Sequence, residues 1–355
     1  MNVGDELNGY RIVTSPTNAG GGMSRWSFAE KEGAEYFVKM FLAPRYPLAT
    51  SPGTEAAKER KRAVCLAFEQ RHLEIARRLQ DADGTTNLVI PHDFFRVGTT
   101  YVKVMERVRP SPLPPIGSLT PEQVLVLVRS LALSLRVLHR RSIVHGDLKP
   151  DNVMIQQRGE IYVSKLIDFD EAYVVGEPPT SDLIVGDPAF YSPELLLYVK
   201  AVPGAEATLG LASDMFSFGL LLHLLLTGTP VSFDPSAANY PSEVVLNGHQ
   251  LRLAPLPGAV AAIVAALLGA VASGRPTIED VTDALLGLEA ADLHPSRRVA
   301  PPPVVTISIP PAAAPPARAE PARRDLIPPA PPAPPGGGGL RSTMGRRPAP
   351  DTEER

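Results

Sequence analysis

The run His145-Gly146-Asp147-Leu148-Lys149-Pro150-Asp151-Asn152 sets an acid, a base and an amide close together, just before the apolar Val153-Met154-Ile155. A second acidic group follows in Leu166-Ile167-Asp168-Phe169-Asp170. Phosphoryl transfer from ATP asks little covalent work of a protein. It needs a dication held on the phosphates, an oriented acceptor hydroxyl and stabilised charge in the transition state. Asp147 can accept a hydroxyl proton, and Lys149 can reach the transferring phosphate. Asn152 and Asp168 offer the hard oxygens that Mg²⁺ prefers. The apolar residues on either side would hold these groups rigidly.

Together these motifs resemble the eukaryotic-type serine/threonine protein kinases that also occur in bacteria, over roughly residues 10 to 290. The family's His-Arg-Asp loop corresponds to His145-Gly146-Asp147, and its Asp-Phe-Gly to Asp168-Phe169-Asp170. Ser192-Pro193-Glu194, the helix start Asp214-Met215-Phe216-Ser217-Phe218-Gly219 and Arg275-Pro276-Thr277 follow in the family's order. The resemblance implies ATP and Mg²⁺ as cofactors, a protein substrate, and an ion pair between Glu194 and Arg275. It makes Lys39, in Tyr36-Phe37-Val38-Lys39, the lysine that contacts the α- and β-phosphates. The family holds that lysine with a helix glutamate, here Glu69 or Glu74. Residues four apart share a helical face, and Leu73 follows Glu69 where a charged Arg78 follows Glu74. Glu69 is therefore expected to hold Lys39, with Leu73 packed on Phe169. By the same resemblance Met105, Glu106 and Val108 border adenine, Met154 floors it, and His145 packs on Phe169. A His-Gly-Asp loop also occurs in small-molecule phosphotransferases. Lys149 in place of their second histidine, with the Ser-Pro-Glu segment, favours a protein substrate.

Several positions depart from the family pattern. The phosphate-covering loop reads Ala19-Gly20-Gly21-Gly22-Met23-Ser24, without the first and third glycines. Gly20, Gly21 and Gly22 still let backbone approach phosphate closely. Trp26 and Phe37 stand where smaller residues usually roof adenine, and either stack on it or fill its pocket. Gly146 replaces the arginine that grips a phosphate on the activation segment, so activity independent of phosphorylation at Thr180 or Ser181 is expected. Asp187 is placed to pair with Lys149. These departures keep open a second reading, a pseudokinase scaffold. Against it stands the retention of Lys39, Asp147, Asn152 and Asp168.

The elements that must position these groups are legible in outline. Tyr10–Val13, Arg25–Ala29, Tyr36–Leu42 and Tyr101–Met105 are short β-branched or aromatic runs and predict strands. Thr54–Gln80 has helical spacing, and Pro121 behind the cap Thr120 opens a helix to about Arg140. Phe216–Thr227 and Pro276–Leu286 predict further helices. The expected fold class is α+β: a two-lobed kinase-like fold with a sheet-rich lobe over 1–107, a helical lobe over 108–293, and a disordered tail over 294–355. In that tail, 16 of the chain's 39 prolines follow Ala300. Each removes a donor and fixes φ, so the segment cannot hold a helix or central strand. Runs such as Pro328-Pro329-Ala330-Pro331-Pro332 offer a docking motif for an aromatic groove, or serve as a spacer.

Bulk composition narrows the classes further. A net charge of −3 over 355 residues gives no reason to expect nucleic acid. The apolar stretches Phe216–Leu226 and Ala259–Ala272 are shorter than a membrane span requires. The single Cys65 excludes an intrachain disulfide. No secretory signal is visible near Met1, so a cytoplasmic setting is expected.

Overall fold

A computed structural model describes residues 1–19, 24–80 and 87–293. Gly20, Gly21, Gly22 and the proline-rich tail lie outside the described residues. The chain divides into two units, Met1–Val304 and Val305–Arg355, and every described residue belongs to the first.

An antiparallel sheet opens the chain. Its strands are β1 (Glu6–Leu7), β2 (Tyr10–Ile12), β3 (Ser24–Lys31), β4 (Ala34–Phe41), β5 (Pro91–Val97) and β6 (Thr100–Glu106), in the order β1-β2-β3-β4-β6-β5. Alternation decides the faces. Ile12, Ala29, Val38, Val102 and Val104 are buried together on one side. The register sets Lys39 opposite both Trp26 and Lys103, so two lysines stand side by side on adjacent strands. Strand β5 escaped the sequence reading. It begins at a proline and its pairing slips between Pro91 and Asp93, which breaks the period-two signal.

Helix α1 (Glu55–Gln80) connects β4 to β5. It buries Cys65, His72, Ile75 and Leu79 at helical spacing and leaves Leu66 and Leu73 about half exposed. The apolar face is therefore rotated from the one the leucines suggested. Ile75 and Leu79 share the main core with Phe169, and Leu73 does not.

The second half is mainly helical. Helix α2 (Pro121–His139) starts in a reciprocal capping box between Thr120 and Gln123. Its apolar face (Val128, Leu131, Leu135 and Leu138) packs into the core with α4 (Leu211–Thr227) and α7 (Ile278–Gly287). Between α2 and α4 run β7 (Ile143–Val144), the β8–β9 hairpin (Val153–Arg158, Ile161–Leu166), β10 (Tyr173–Val174) and the short α3 (Pro193–Val199). Two more helices, α5 (Pro241–Leu246) and α6 (Gly258–Leu267), precede α7. The fold is α+β, with a β-sheet N-terminal lobe followed by a helical region.

Candidate active site

The loop that carries His145, Gly146 and Asp147 hangs from one buried carboxylate. Asp214, at the start of α4, accepts main-chain N–H bonds from His145 (2.7 Å) and Gly146 (3.0 Å), and lies 3.0 Å from the His139 ring. It is 2% exposed. These bonds from several donors pin the loop to the core. The His145 ring packs on Phe169 at 5.4 Å and reaches the Ile167 carbonyl. Gly146 turns the chain at φ +78°. A Cβ there would lie 2.6 Å from the Glu171 carbonyl oxygen, so the backbone itself demands glycine.

Beyond that turn, Asp147 faces the cleft. Its Oδ2 accepts from the Asn152 amide at 2.9 Å and pairs with Lys149 at 2.7 Å. Its Oδ1 receives the Asp187 N–H at 3.4 Å. Lys149 thus pairs with Asp147 and not with Asp187, whose carboxylate caps a helical turn at Ala189. Gly186 leaves Asp147 space, because a Cβ there would meet Asp147 Oδ1 at 3.1 Å and the Tyr191 ring at 2.6 Å.

The largest departure from expectation concerns Lys39. Its Nζ lies 2.6 Å from Asp170 Oδ2 and 2.8 Å from Asp168 Oδ2. Glu69 does not hold it. That carboxylate accepts from the Tyr101 hydroxyl at 3.3 Å on another face of α1. Glu74 is bound by Arg77 and Arg78, which lower it to about 2. The error follows from the rotated helix face: with Ile75 rather than Leu73 in the core, the position one turn earlier is Arg71. Burial alone would lower the charge affinity of Lys39, but Asp170 and Asp168 outweigh it and raise its pKa. Burial would likewise raise Asp170, yet Lys103 and Lys39 hold it well below the usual carboxylate range. Asp168 is raised by burial and by Asp170 beside it. Sequence reasoning missed Lys103 and Asp170 as a pair. The signal was a lysine inside the otherwise apolar Tyr101–Met105 run.

A cleft of about 1280 Å³ runs over these groups. Trp26, Phe37, Met105, Glu106, Val108 and Met154 line it, together with Lys39, Asp147, Lys149, Asn152 and Asp168. The Trp26 and Phe37 rings stack on each other at 5.4 Å and wall the cleft. Asp168 adopts φ +60°, and its buried Oδ1 has no hydrogen-bond partner among the described residues. Asn152 commits its amide N–H to Asp147, which leaves its oxygen as an acceptor. The main chain ties Asn152 to the residue before Asp168, Ile167 N donating to Asn152 O at 3.0 Å. Among the described residues no group of three or more His, Cys, Asp or Glu could hold a metal. Two hard oxygens suit a dication that keeps water and phosphate in its shell, as Mg²⁺ does.

Glu194 and Arg275 form a bidentate pair at 2.7 and 2.8 Å, with Ser213 donating to the same carboxylate. Among the described residues no helix is long and apolar enough to cross a membrane.

Comparison with known proteins finds protein kinases. Death-associated protein kinase dapk-1 of Caenorhabditis elegans is 29% identical over 202 residues, 56% of this chain and 13% of the relative. Death-associated protein kinase 2 of Mus musculus is 30% identical over 173 residues, 47% of this chain and 44% of the relative. Human serine/threonine-protein kinase D2 is 37% identical over 103 residues, 29% of this chain and 11% of the relative. The chain thus spans less than half the length of each. The family model described as "Protein kinase domain" matches residues 56–283. The match begins after β4, so the reading of Lys39 rests on the structure's geometry. With well over half of its length matched, the chain belongs to the protein kinase domain family.

Proposed function

We infer that the chain is an ATP-dependent serine/threonine protein kinase. The observation that carries this is Asp147, fixed by Asn152 and Lys149 and facing the same cleft as the orphaned Asp168 oxygen. Asp147 would accept a hydrogen bond from the incoming hydroxyl and orient it for in-line attack. Lys149 would move from Asp147 to the γ-phosphoryl oxygens as negative charge gathers there. Lys39 would bind the α- and β-phosphates. Asn152 and Asp168 would hold Mg²⁺, which when bound neutralises the phosphate charge. Met105, Glu106, Val108 and Met154 would border adenine, with Gly20, Gly21 and Gly22 covering the phosphates. The same proposal takes 1–107 and 108–293 as the two lobes, 294–355 as a tail able to dock a partner, and the cytoplasm as the setting.

One observation favours a scaffold instead. Lys39 and Asp168 neutralise each other, so nucleotide must displace an existing ion pair. Incubation of the full chain with Mg²⁺ and γ-labelled ATP, beside Asp147→Asn, tests both readings. Label on serine or threonine in the wild type alone supports the kinase. Nucleotide binding without transfer, across a panel of protein substrates, supports the scaffold.

A further inference from the structure

The lysine that binds phosphate is held from an unexpected side. Lys39 and Lys103 face the same space from neighbouring strands, and each is almost wholly buried. Two buried ammonium groups side by side repel and lose their hydration, so an acid must lie between them. That acid is Asp170. One of its oxygens pairs with Lys39 at 2.6 Å and the other with Lys103. Helix α1 adds no acid here. It turns the buried His72 ring toward Asp170 Oδ1 at 3.9 Å, while Arg71 donates to the Asp170 main-chain oxygen at 3.0 Å. Glu69 and Glu74 are engaged elsewhere on the helix. The site has exchanged polarity: acid on the Asp-Phe-Asp turn, bases on the helix and on β6.

We propose that Asp170 is the positioning residue for Lys39, taking the part expected of a helix glutamate, and that buried Lys103 is its counter-ion. The anchor of the phosphate-binding lysine and the metal-binding Asp168 then sit two residues apart on one turn. Readiness for nucleotide is set by that turn and not by where α1 lies. The acids of α1 are dispensable for it, and Asp170 with Lys103 forms a unit that tolerates joint replacement better than loss of either alone.

The importance of this unit for catalysis rests on the nucleotide site proposed above, but the anchoring itself is measurable without nucleotide. The nucleotide-free full chain is treated with acetic anhydride, and acetylation of Lys39 is read by peptide mass spectrometry against exposed Lys61. A buried lysine held between two carboxylates is shielded from the reagent and reacts slowly. Asp170→Asn is expected to raise the Lys39:Lys61 ratio at least about fivefold, with ADP affinity by calorimetry falling about tenfold. Glu69→Gln with Glu74→Gln should leave both unchanged. Should Asp170→Asn fail to fold, Asp170→Asn with Lys103→Met removes the buried acid and base together and carries the same comparison. An unchanged Lys39 ratio in the Asp170 variants, or a rise when the α1 acids are removed, overturns the proposal. If the wild type binds no nucleotide, the functional reading fails while the Lys39 ratio still decides this one.

Discussion

Gly146 stands where the family carries arginine, and the backbone gives the replacement a measurable cost of reversal. Consider Gly146→Ala. A side chain at φ +78° costs about 1–2 kcal/mol from the clash of Cβ with the adjoining peptide. The new Cβ also meets the Glu171 main-chain oxygen at 2.6 Å, closer than real Cβ contacts come. Neither partner is a flexible side-chain end, so backbone must shift, adding roughly 1–3 kcal/mol as in overpacked cores. Gly33 supplies the control. It has φ +80° and nothing within 4 Å of its Cβ position, so Gly33→Ala carries only the first cost. Urea unfolding should therefore show Gly146→Ala destabilised beyond Gly33→Ala by roughly 1–3 kcal/mol. Glu171 directly follows the Asp168-Phe169-Asp170 turn, so the shift also reaches the site. Displacement of catalytic groups by an ångström costs about a hundredfold in rate, and kcat of labelled-phosphate transfer should fall at least about tenfold in Gly146→Ala but not in Gly33→Ala. Gly146→Arg should be worse on both counts. Equal destabilisation of the two alanine variants, with kcat retained, would refute the reasoning. It would also return Gly146 to the list of features that speak for a scaffold.

Three further outcomes are expected. Glu194→Gln leaves the wholly buried Arg275 guanidinium facing only carbonyl oxygens, and should cost about 3–5 kcal/mol in urea unfolding; a loss below about 1 kcal/mol would show the pair to be unimportant. Burial pushes the Glu171 carboxyl up to about 7, helped by Asp170 and Asp147 and opposed by Arg71. Its contribution to stability is thus complete below about pH 4.5 and lost as pH rises through 7, while His72, lowered by burial to about 4, acts with the opposite sign between 6.5 and 4. Glu171→Gln should abolish the Glu171 part, gaining roughly 2–3 kcal/mol on wild type between pH 4.5 and 8; parallel stability–pH curves would refute it. Trp26 is the single tryptophan and walls the cleft, so ADP should change its emission with the same Kd that calorimetry gives, and an unchanged spectrum under saturating ADP would place the nucleotide elsewhere.

The His145–Asn152 loop and the Asp-Phe turn were legible as short runs of chemistry-bearing residues, and the Glu194–Arg275 pair followed from the family resemblance. The β3, β4 and β6 strands were legible from β-branched or aromatic runs, and α2 from its cap. The interior of α1 was not. Its leucines at 66 and 73 face solvent, while Cys65, His72 and Ile75 face inward. A small thiol and an imidazole carry little hydrophobic signal, so the pattern pointed to the wrong face and hence to the wrong partner for Lys39. Lys103 was hidden for the opposite reason. Its place in the apolar Tyr101–Met105 run signalled a buried cation, but the acid that cancels the charge lies far along the chain and no local pattern names it. Gly146 looked like an eroded position until the Glu171 carbonyl was seen against it.

The tie between the Asp-Phe-Asp turn and Lys39 also bears on which small molecules this cleft would accept. Inhibitors that require the phenylalanine to swing out select a minor conformer, and their affinity falls by the fraction of molecules that occupy it. Here expulsion of Phe169, 2% exposed, would forfeit about 1.5–3 kcal/mol of burial. It would also part Lys39 and Lys103 from Asp170, worth about 3–5 kcal/mol for a broken buried pair. The sum leaves fewer than about one molecule in a thousand in that conformer. Compounds that read the turn in its present position, through the Trp26 and Phe37 wall, would meet no such discount.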